Sequence, residues 1–363
     1  MVEAGIKGDD KELSVLVEKK LEKIVEDYSF KERGKLVYRG HPAIYSDVVA
    51  ETMELVQRSG GLSRERLLER KPHWHEEFKV RVAKNLEEHN YMFACEILQN
   101  LIKHTSEGRP VIWITPVGPM GHYHVLAEIM NKTGRQIKLR PDLIFPFAMD
   151  EWSDVNGNAV NTPEFVNYMT SFAGDMHEQF YDKLDPHVRI PEGNLRFAND
   201  ERLRDYVPTI EKLLAQDAGV VFTGGVGMAG HIMFWEPTFG ALLGREVSEK
   251  VMYIRGAPLT TETIAQNRFT SAASAPVPSY ANTIGLGLFC LFREYEKKNP
   301  GNVTAIFGLD NVEEPLIWQR FIAQCMLAME QADPSFGATY PATVPGAYII
   351  VENHFKGFKV PAK

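Results

Sequence analysis

Short apolar runs that end at glycine-rich or polar turns recur along most of this chain, and helical patterns lie between them. The runs that are long enough for buried strands are Pro110–Ile114, Leu143–Phe147, Ala218–Phe222, Val303–Phe307 and Tyr348–Val351. The helical patterns include Tyr91–His104, Tyr123–Asn131, Asp200–Gln216 and Pro315–Gln331. Repeated strand, turn and helix units build a mostly parallel sheet with flanking helices. The sequence therefore predicts an α/β fold.

The first part of the chain has a different pattern. Asp9–Asp27 carries apolar residues at helical spacing among charges, and Ser63 stands as a cap before a second helical run. This part is charged and poor in strand signals. We therefore predict a helical N-terminal extension over residues 1–88 and an α/β domain over residues 89–363. The pattern leaves open whether the helices pack on the main domain or on a partner subunit.

Charge and cysteine content exclude several classes of protein. The chain has 40 Lys and Arg against 48 Asp and Glu, and its formal net charge is −8, so we expect no binding to nucleic acid or to an anionic membrane. Cys95, Cys290 and Cys325 lie far apart, which excludes a disulfide scaffold and suits a reducing cytoplasm. Neither a secretory signal nor an apolar run of about 20 residues is evident, so we expect no membrane span.

Glycine turns and titratable residues follow several of the predicted strands. Ligands of parallel sheets bind beyond the carboxyl ends of the strands. The segments at those positions are Thr115–Gly121, Met149–Trp152, Gly224–Glu236 and Gly308–Asn311. We therefore predict that these segments meet in a single binding site.

Asp150 and Glu151 directly follow one of the predicted strands. In an extended chain adjacent side chains point to opposite faces, so one carboxylate can enter the site while the other caps backbone or pairs elsewhere. A carboxylate shielded from water has a raised pKa and can exchange a proton with a substrate. The alternative is a solvated acid in a turn.

The segment Gly224–Pro237 combines glycines with His231 and Glu236. Glycines let the backbone approach a ligand closely. The two titratable residues are close enough in sequence to hydrogen-bond within a loop, and a carboxylate that holds a histidine fixes its tautomer and raises its basicity. The alternative is a structural loop with a histidine that is satisfied in the core.

Two histidine-rich segments, His73–Glu77 and His122–His124, give weaker signals. Neither has the i, i+4 histidine spacing of a helical zinc site, and no third ligand is evident, so we predict no metal and no cofactor. His122 and His124 are also candidates to contact a polar group of the ligand. The alternative is a position on the surface of the helix.

Three segments resemble the glucosamine-6-phosphate deaminases, also called isomerases, and occur in that family's order. Phe147–Trp152 is similar to Phe-Asn-Met-Asp-Glu-Tyr, and Gly225–Pro237 is similar to Gly-Val-Gly-x-Asp-Gly-His-Ile-Ala-Phe-Asn-Glu-Pro. Asn267–Gly287 resembles the family's Ser-Arg-Phe, Val-Pro-Lys-Tyr-Ala and Thr-Val-Gly-Val-Gly run. The likeness extends from roughly Asn90 to Phe355, and the stretch from His231 to Pro237 is its most specific part.

This resemblance implies a modified Rossmann-like fold and a metal-free reaction on a sugar or sugar phosphate. The ring opens, a carboxylate carries a proton from C2 to C1, and the resulting enolamine collapses to a ketose and ammonia. Asp150 matches the proton carrier, His231 the acid–base for ring opening, Glu236 its orienting partner and Arg268 the arginine that grips the phosphate. The expected substrate-binding residues are Val117, Gly118, Gly121, Glu151, Gly225, Gly227, Arg268 and Asn311. Because family members often assemble, we expect a homo-oligomer.

The chain departs from the family pattern at three places. Ala229 replaces an acid two residues before the histidine, and Asn311 replaces a lysine. The phosphate loop Thr-Gly-Gly-Thr-Pro is reduced to Val117-Gly118-Pro119, without hydroxyls. Because a charge-assisted contact is worth about 1.5–3 kcal/mol, these departures predict a different or missing anionic group on the substrate.

The sequence therefore predicts a cytoplasmic aldose–ketose isomerase or deaminase that acts on an amino sugar, phosphorylated or not. One alternative is a hydrolase resembling 6-phosphogluconolactonase, although that branch has Gly-His-Thr-Ala-Ser-Leu-Phe-Pro where this chain has Gly230–Pro237. Another is a non-catalytic sugar-binding or regulatory protein on the same scaffold, which the changes at Ala229 and Asn311 motivate. Retention of Asp150, His231 and Glu236 argues against that alternative, because a sensor needs no proton carrier.

Overall fold

The computed structural model describes residues 2–118, 121–160, 171–270, 277–312 and 318–358. The strands of these ranges are β1 (Glu3–Ile6), β2 (Ser29–Glu32), β3 (Lys35–Tyr38), β4 (Phe78–Ala83), β5 (Val111–Thr115), β6 (Ile144–Ala148), β7 (Asp150–Ser153), β8 (Gly219–Gly225), β9 (Val251–Pro258), β10 (Tyr280–Ile284), β11 (Val303–Leu309) and β12 (Gly346–Val351). The helices are α1 (Lys11–Tyr28), α2 (Asp47–Arg58), α3 (Arg64–Leu68), α4 (Leu86–Thr105), α5 (Gly121–Thr133), α6 (Phe172–Gln179), α7 (Tyr206–Leu214), α8 (Pro237–Ser248), α9 (Thr261–Thr270), α10 (Leu286–Lys298) and α11 (Trp318–Ala328).

A six-stranded parallel sheet in the order β4-β12-β11-β8-β5-β6 forms the centre of the fold. Its strands alternate between two cores, because successive side chains of a strand point to opposite faces. In β5, Ile112 and Ile114 lie in one core and Val111 and Trp113 in the other. Since both faces are covered, the strands other than β4 are apolar along most of their length, which is typical of parallel sheets, and the edge strand β4 carries Lys79 and Arg81. The predicted α/β fold is confirmed.

The helix predicted over Pro315–Gln331 corresponds to α11, and residues 315–317 of that prediction lie outside the described residues. The helix predicted over Asp200–Gln216 consists of a 3₁₀ segment, Asp200–Asp205, followed by α7. Within the described ranges, no helix has both the length and the apolar character needed to cross a bilayer.

A second sheet, which the sequence analysis did not predict, has the antiparallel order β1-β9-β10-β7. The chain passes from β6 of the main sheet directly into β7 of this sheet. Met149, between the two strands, donates its N–H to the carbonyl of Thr115 and accepts from the N–H of Ile284. Asp150 and Glu151 therefore lie in a paired strand at the junction of the two sheets, and not in an exposed turn.

The N-terminal part contains the predicted helices and also strands that the sequence analysis did not predict. Helix α1 buries Val17, Leu21 and Ile24 in the same core as one face of the main sheet, so these helices pack on the rest of the chain. Strand β1 pairs with β9, and β4 pairs with β12 at the edge of the main sheet. The division of the chain at residue 88 stays a proposal. Strands β1 and β4, which precede residue 88, pair with β9 and β12, which follow it.

Candidate active site

A cavity of about 730 Å³ lies beyond the carboxyl ends of β5, β6, β8 and β11. Segments from all four predicted turns contribute to it, together with residues of α9 and α11. Of the expected site residues, those that line it are Asp150, His231, Val117, Gly118, Gly225, Gly227 and Asn311. The described lining does not include Glu236, Glu151, Gly121 or Arg268, and Pro119 of the predicted loop lies outside the described residues.

Asp150 is the buried carboxyl at the β6 side of this cavity. It is 5% exposed and pairs with Thr283 in the second sheet. Burial, and then the neighbouring Glu151 charge, raise the pKa of Asp150 well above its usual value. A carboxylate of this kind is a strong base once it ionises, because its charge is poorly solvated. The arrangement contradicts the alternative of a solvated turn acid.

Glu151 points away from the cavity, as the alternation of side chains along β7 requires. Its Oε1 accepts from the N–H groups of Trp152 and Phe172 at 2.9 and 3.0 Å, and its Oε2 accepts from Ala173 at 3.0 Å. Burial raises its pKa to about 7, against the effect of these hydrogen bonds. Glu151 does not line the cavity in this structure, and the expectation that it contacts the ligand stays a prediction. Glu151 instead holds the start of α6 and positions Phe172, which lines the cavity.

His231 and Glu236 are both buried, but they do not form the direct hydrogen bond that their spacing suggested. The distance from His231 Nδ1 to Glu236 Oε2 is 3.8 Å. The Thr263 hydroxyl lies between them, 3.1 Å from Nδ1 and 3.0 Å from Oε2. A hydroxyl can donate to the carboxylate while it accepts from the imidazole N–H. Thr263 therefore connects the two groups.

Thr260 completes the surroundings of Glu236. Its N–H donates to Oε1 and its hydroxyl to Oε2, both at 3.0 Å. Burial lowers the pKa of His231 to about 4 and raises that of Glu236 to about 7. The imidazole is therefore neutral at pH 7. The sequence pattern did not reveal either threonine, because Thr260 precedes α9 and signals only an N-cap, Thr263 lies within that helix, and Glu236 is distant from both in sequence.

Gly227 and Gly230 bring the loop after β8 close to its surroundings. A Cβ on Gly227 would lie 2.0 Å from His231 Nε2, and one on Gly230 would lie 2.0 Å from the ring of Phe336. Gly230 also has a φ of +74°, which favours glycine. The absence of a side chain at Gly227 leaves Nε2 room on the cavity side of the ring.

The residues expected to bind a phosphate group of the substrate do not all face the cavity. Asn311 lines the cavity, its N–H donates to Gln319 Oε1 at 2.7 Å, and its Oδ1 is buried with no partner among the described residues. Arg268 is exposed on α9, although its neighbours Asn267 and Phe269 line the cavity. Gly121 is the first residue of α5, where a Cβ would lie 2.4 Å from Asn90 Nδ2. Of the described residues that were expected to bind the phosphate, Asn311, Val117 and Gly118 therefore face the cavity, and Arg268 does not.

No protein-family model matches the chain. A glucosamine-6-phosphate deaminase from Yersinia pseudotuberculosis serotype O:1b (strain IP 31758) is 34% identical over 198 residues, which are 52% of this chain and 63% of that protein. Among solved structures, a monomeric glucosamine-6-phosphate deaminase of the NagB superfamily has a TM-score of 0.53 at 19% identity, over 76% of this chain and 98% of the other. A 6-phosphogluconolactonase from Plasmodium vivax has a TM-score of 0.48 at 14% identity, over 76% of this chain and 90% of the other.

The resemblance to glucosamine-6-phosphate deaminases is confirmed. The similar region spans less than two thirds of the length of the Yersinia deaminase, and the solved deaminase shows a shared fold. Ala229, where the deaminase motif has an acid, is fully buried, and its carbonyl accepts from the Tyr45 hydroxyl at 3.1 Å. The N-terminal part of this chain thus contacts the loop that carries His231.

His122 and His124, which follow the predicted phosphate loop, differ in their burial. His122 is buried, with its ring 4.3 Å from that of Phe93 and 4.1 Å from that of Tyr123, and it does not line the cavity. His124 is exposed on α5 and lies 3.2 Å from Lys183 Nζ. Among the described residues, no cluster of three or more His, Cys, Asp or Glu side chains could hold a metal ion.

We expect His122→Phe to reduce the acid sensitivity of the fold. Burial lowers the pKa of His122 to about 3 from 6.5, so the unfolded chain binds the proton first and stability is lost as the pH falls below 6.5. Relative to the wild type, the variant's free energy of unfolding should rise by up to ~1.4 kcal/mol for each unit by which the pH falls between pH 6.5 and 3. Urea titrations at several pH values measure this. The exposed His124→Gln is the control, and equal slopes for His122→Phe and wild type would contradict the assignment.

Proposed function

We propose that this protein is an aldose–ketose isomerase or deaminase that converts an amino sugar to a ketose and ammonia, as a divergent relative of the glucosamine-6-phosphate deaminases. The observation that carries the proposal is that Asp150 and His231, which belong to segments far apart in sequence, line the same cavity. A buried carboxyl and a neutral imidazole are the two groups that the two proton-transfer steps need. We also propose a cytoplasmic location and a homo-oligomeric state.

Ring opening is assigned to His231. In this step the hydroxyl on C1 loses its proton, the C1–O5 bond breaks and O5 gains a proton. A neutral imidazole can accept the first proton and return it to O5. The low pKa of His231, about 4, keeps the ring neutral at pH 7, and the Thr263–Glu236 contact holds its Nδ1 side. The Nε2 side, next to Gly227, is then the side that exchanges the proton.

Proton transfer between carbons is assigned to Asp150. The ionised carboxylate takes the proton from C2 of the open chain while O1 gains a proton from the substrate's own ammonium group, which gives an enolamine. The carboxyl group then returns its proton to C1. The resulting imine at C2 reacts with water, and ammonia leaves as the ketose forms. A buried carboxylate suits this step because desolvation raises its pKa and therefore its strength as a base. Glu151 supports the same region by holding Phe172 at the cavity wall.

Two other functions make different demands on these residues. A lactone hydrolase needs no base that exchanges a carbon-bound proton, and a binding protein needs no base at all. The retained sequence Glu236-Pro237 and the buried position of Asp150 support the isomerase or deaminase function. Exchange of the hydrogen on C2 with solvent therefore distinguishes an isomerase or deaminase most clearly from a lactone hydrolase and from a binding protein.

The proposal is tested by incubating the protein with glucosamine and with glucosamine 6-phosphate in D₂O. We expect release of ammonia, formation of a ketose and loss of the C2 proton signal by NMR with at least one of the two sugars. Hydrolysis of 6-phosphogluconolactone without C2 exchange would support the hydrolase instead. Binding of either sugar without exchange or ammonia release would support the non-catalytic alternative, and both outcomes would reject the proposal.

A further inference from the structure

The charges around the cavity carry information about the substrate. Among the lining residues that the structure describes, the ionisable side chains are Asp150, Asp310 and His231, and none is Lys or Arg. A phosphate group carries close to two negative charges and is bound in proteins by Arg, Lys or several N–H donors. The described wall of this cavity offers no cationic side chain for that purpose.

The internal segments outside the described ranges also contain no basic residue, whereas the C-terminal residues 359–363 include Lys359 and Lys363. Residues 119–120, 161–170, 271–276 and 313–317 contain no Lys or Arg, and they include Glu164, Glu313 and Glu314. Arg268 stands between the lining residues Asn267 and Phe269 in the sequence, and its side chain is exposed on α9. A single exposed arginine competes with water for its ligand, so its contribution to binding is small.

The two ends of the cavity differ in chemistry. Asp150 follows β6 and Asn311 follows β11, and these strands are three positions apart in the sheet, or about 14 Å. The β11 end contains the Asn311 amide with its buried oxygen, together with Asp310 and Val312 on the same loop and Trp318 next to Gln319. The Gln319 oxygen accepts from the N–H of Asn311, and one of its two amide N–H groups donates to the carbonyl of Val226. This end therefore offers the uncharged Asn311 amide next to the carboxyl of Asp310, which also lines the cavity.

The carboxyls of the cavity favour a cationic ligand over an anionic one. Burial raises the pKa of Asp150 and of Asp310. A ligand ammonium lowers the pKa of a nearby carboxyl and is stabilised by the ionised form, whereas a ligand phosphate raises that pKa further and is repelled. The amino group of an amino sugar is thus a favourable ligand here, and a second, anionic group is unfavourable.

We propose that the site selects an amino sugar without a phosphate, whose ammonium group lies near Asp150 and whose uncharged hydroxyl end lies at Asn311 and Asp310. This inference rests on the proposed function and defines its substrate class. Loss of the charged partners predicts that kcat/KM for glucosamine exceeds that for glucosamine 6-phosphate by about tenfold or more.

The first test compares kcat/KM for the two sugars in the wild-type protein, together with competition by inorganic phosphate. We expect a preference for glucosamine and no competition by phosphate in the millimolar range. A preference for glucosamine 6-phosphate would overturn this inference and leave the proposed function standing. Absence of C2 exchange with both sugars would reject the proposed function, and this inference with it.

The second test restores a cation at the β11 end with Asn311→Lys. We expect the ratio of kcat/KM values to move toward glucosamine 6-phosphate by about tenfold. Asn311→Gln keeps an uncharged amide, and Gln57→Lys adds the same charge on the exposed face of α2, so both controls should leave the ratio within about threefold. An unchanged ratio in Asn311→Lys, with a normal thermal unfolding profile, would contradict the placement of the hydroxyl end at Asn311.

Discussion

Replacing Asp150 with Asn is expected to lower turnover by ~10²–10⁴-fold and to change the Kd of the amino sugar little. The amide keeps the size and much of the hydrogen bonding of the carboxyl, but it cannot accept the proton from C2. Exchange of the C2 hydrogen with D₂O should therefore disappear together with turnover. Steady-state kinetics, NMR exchange and calorimetric titration measure the three quantities separately.

Glu151→Gln is the matched control, because it makes the same change at the adjacent residue. Glu151 accepts three backbone N–H bonds, and a Gln side chain has one oxygen with which to replace them. This variant should lose about 1–3 kcal/mol of stability and keep C2 exchange. An Asp150→Asn protein with near-normal turnover, or a Glu151→Gln protein that is folded but has lost exchange, would reject the assignment of Asp150 as the proton carrier.

Replacing His231 with Gln is expected to lower turnover of the cyclic sugar by ~10²-fold or more. The Gln side chain fills a similar space but does not transfer protons at neutral pH. An analogue without O4 and O5 cannot form a five- or six-membered ring, and its reaction does not include ring opening. The loss relative to wild type should therefore be much smaller with that analogue. Equal losses with both substrates would place His231 outside ring opening.

Thr263 provides a finer test of how His231 is held. Thr263→Val removes the hydroxyl that connects His231 Nδ1 with Glu236 and keeps the shape of the side chain. We expect a loss of about tenfold on the cyclic sugar, with a shifted pH profile, and recovery in Thr263→Ser, which restores the hydroxyl. A valine variant with an unchanged pH profile would show that Thr263 serves packing alone.

The main sheet was predictable because its information is local. Strands β5, β6, β8, β11 and β12 are buried on both faces and therefore read as apolar runs that end at turns, whereas the edge strand β4 carries Lys79 and Arg81 and was not predicted. The same reasoning located the site, since strands that run in parallel bring their carboxyl ends to one edge. Predicted turns around Gly118, Met149, Gly225 and Asn311 accordingly meet at one cavity.

The second sheet was not predictable in this way, because its strands carry polar or charged residues among the apolar ones. Strand β7 contains Asp150 and Glu151, and β10 contains Asn282 and Thr283. The polar group of Asn282 is satisfied within the fold: its amide donates to the carbonyls of Gly157 and Ala198 and accepts from the N–H of Gly256. Such partners are distant along the chain, so a local pattern does not reveal them.

The sequence by itself determined the α/β class, the edge of the sheet at which the cavity lies, and the residues Asp150 and His231 that line it. Only the tertiary structure decided which of two adjacent carboxyls faces the cavity, that Thr263 lies between His231 and Glu236, and that Arg268 is exposed while Asn311 lines the wall. The physical reason is that residue type and periodicity act over a few positions. The direction of a buried side chain and its partners depend on contacts between distant segments, which exist only once both sheets have formed.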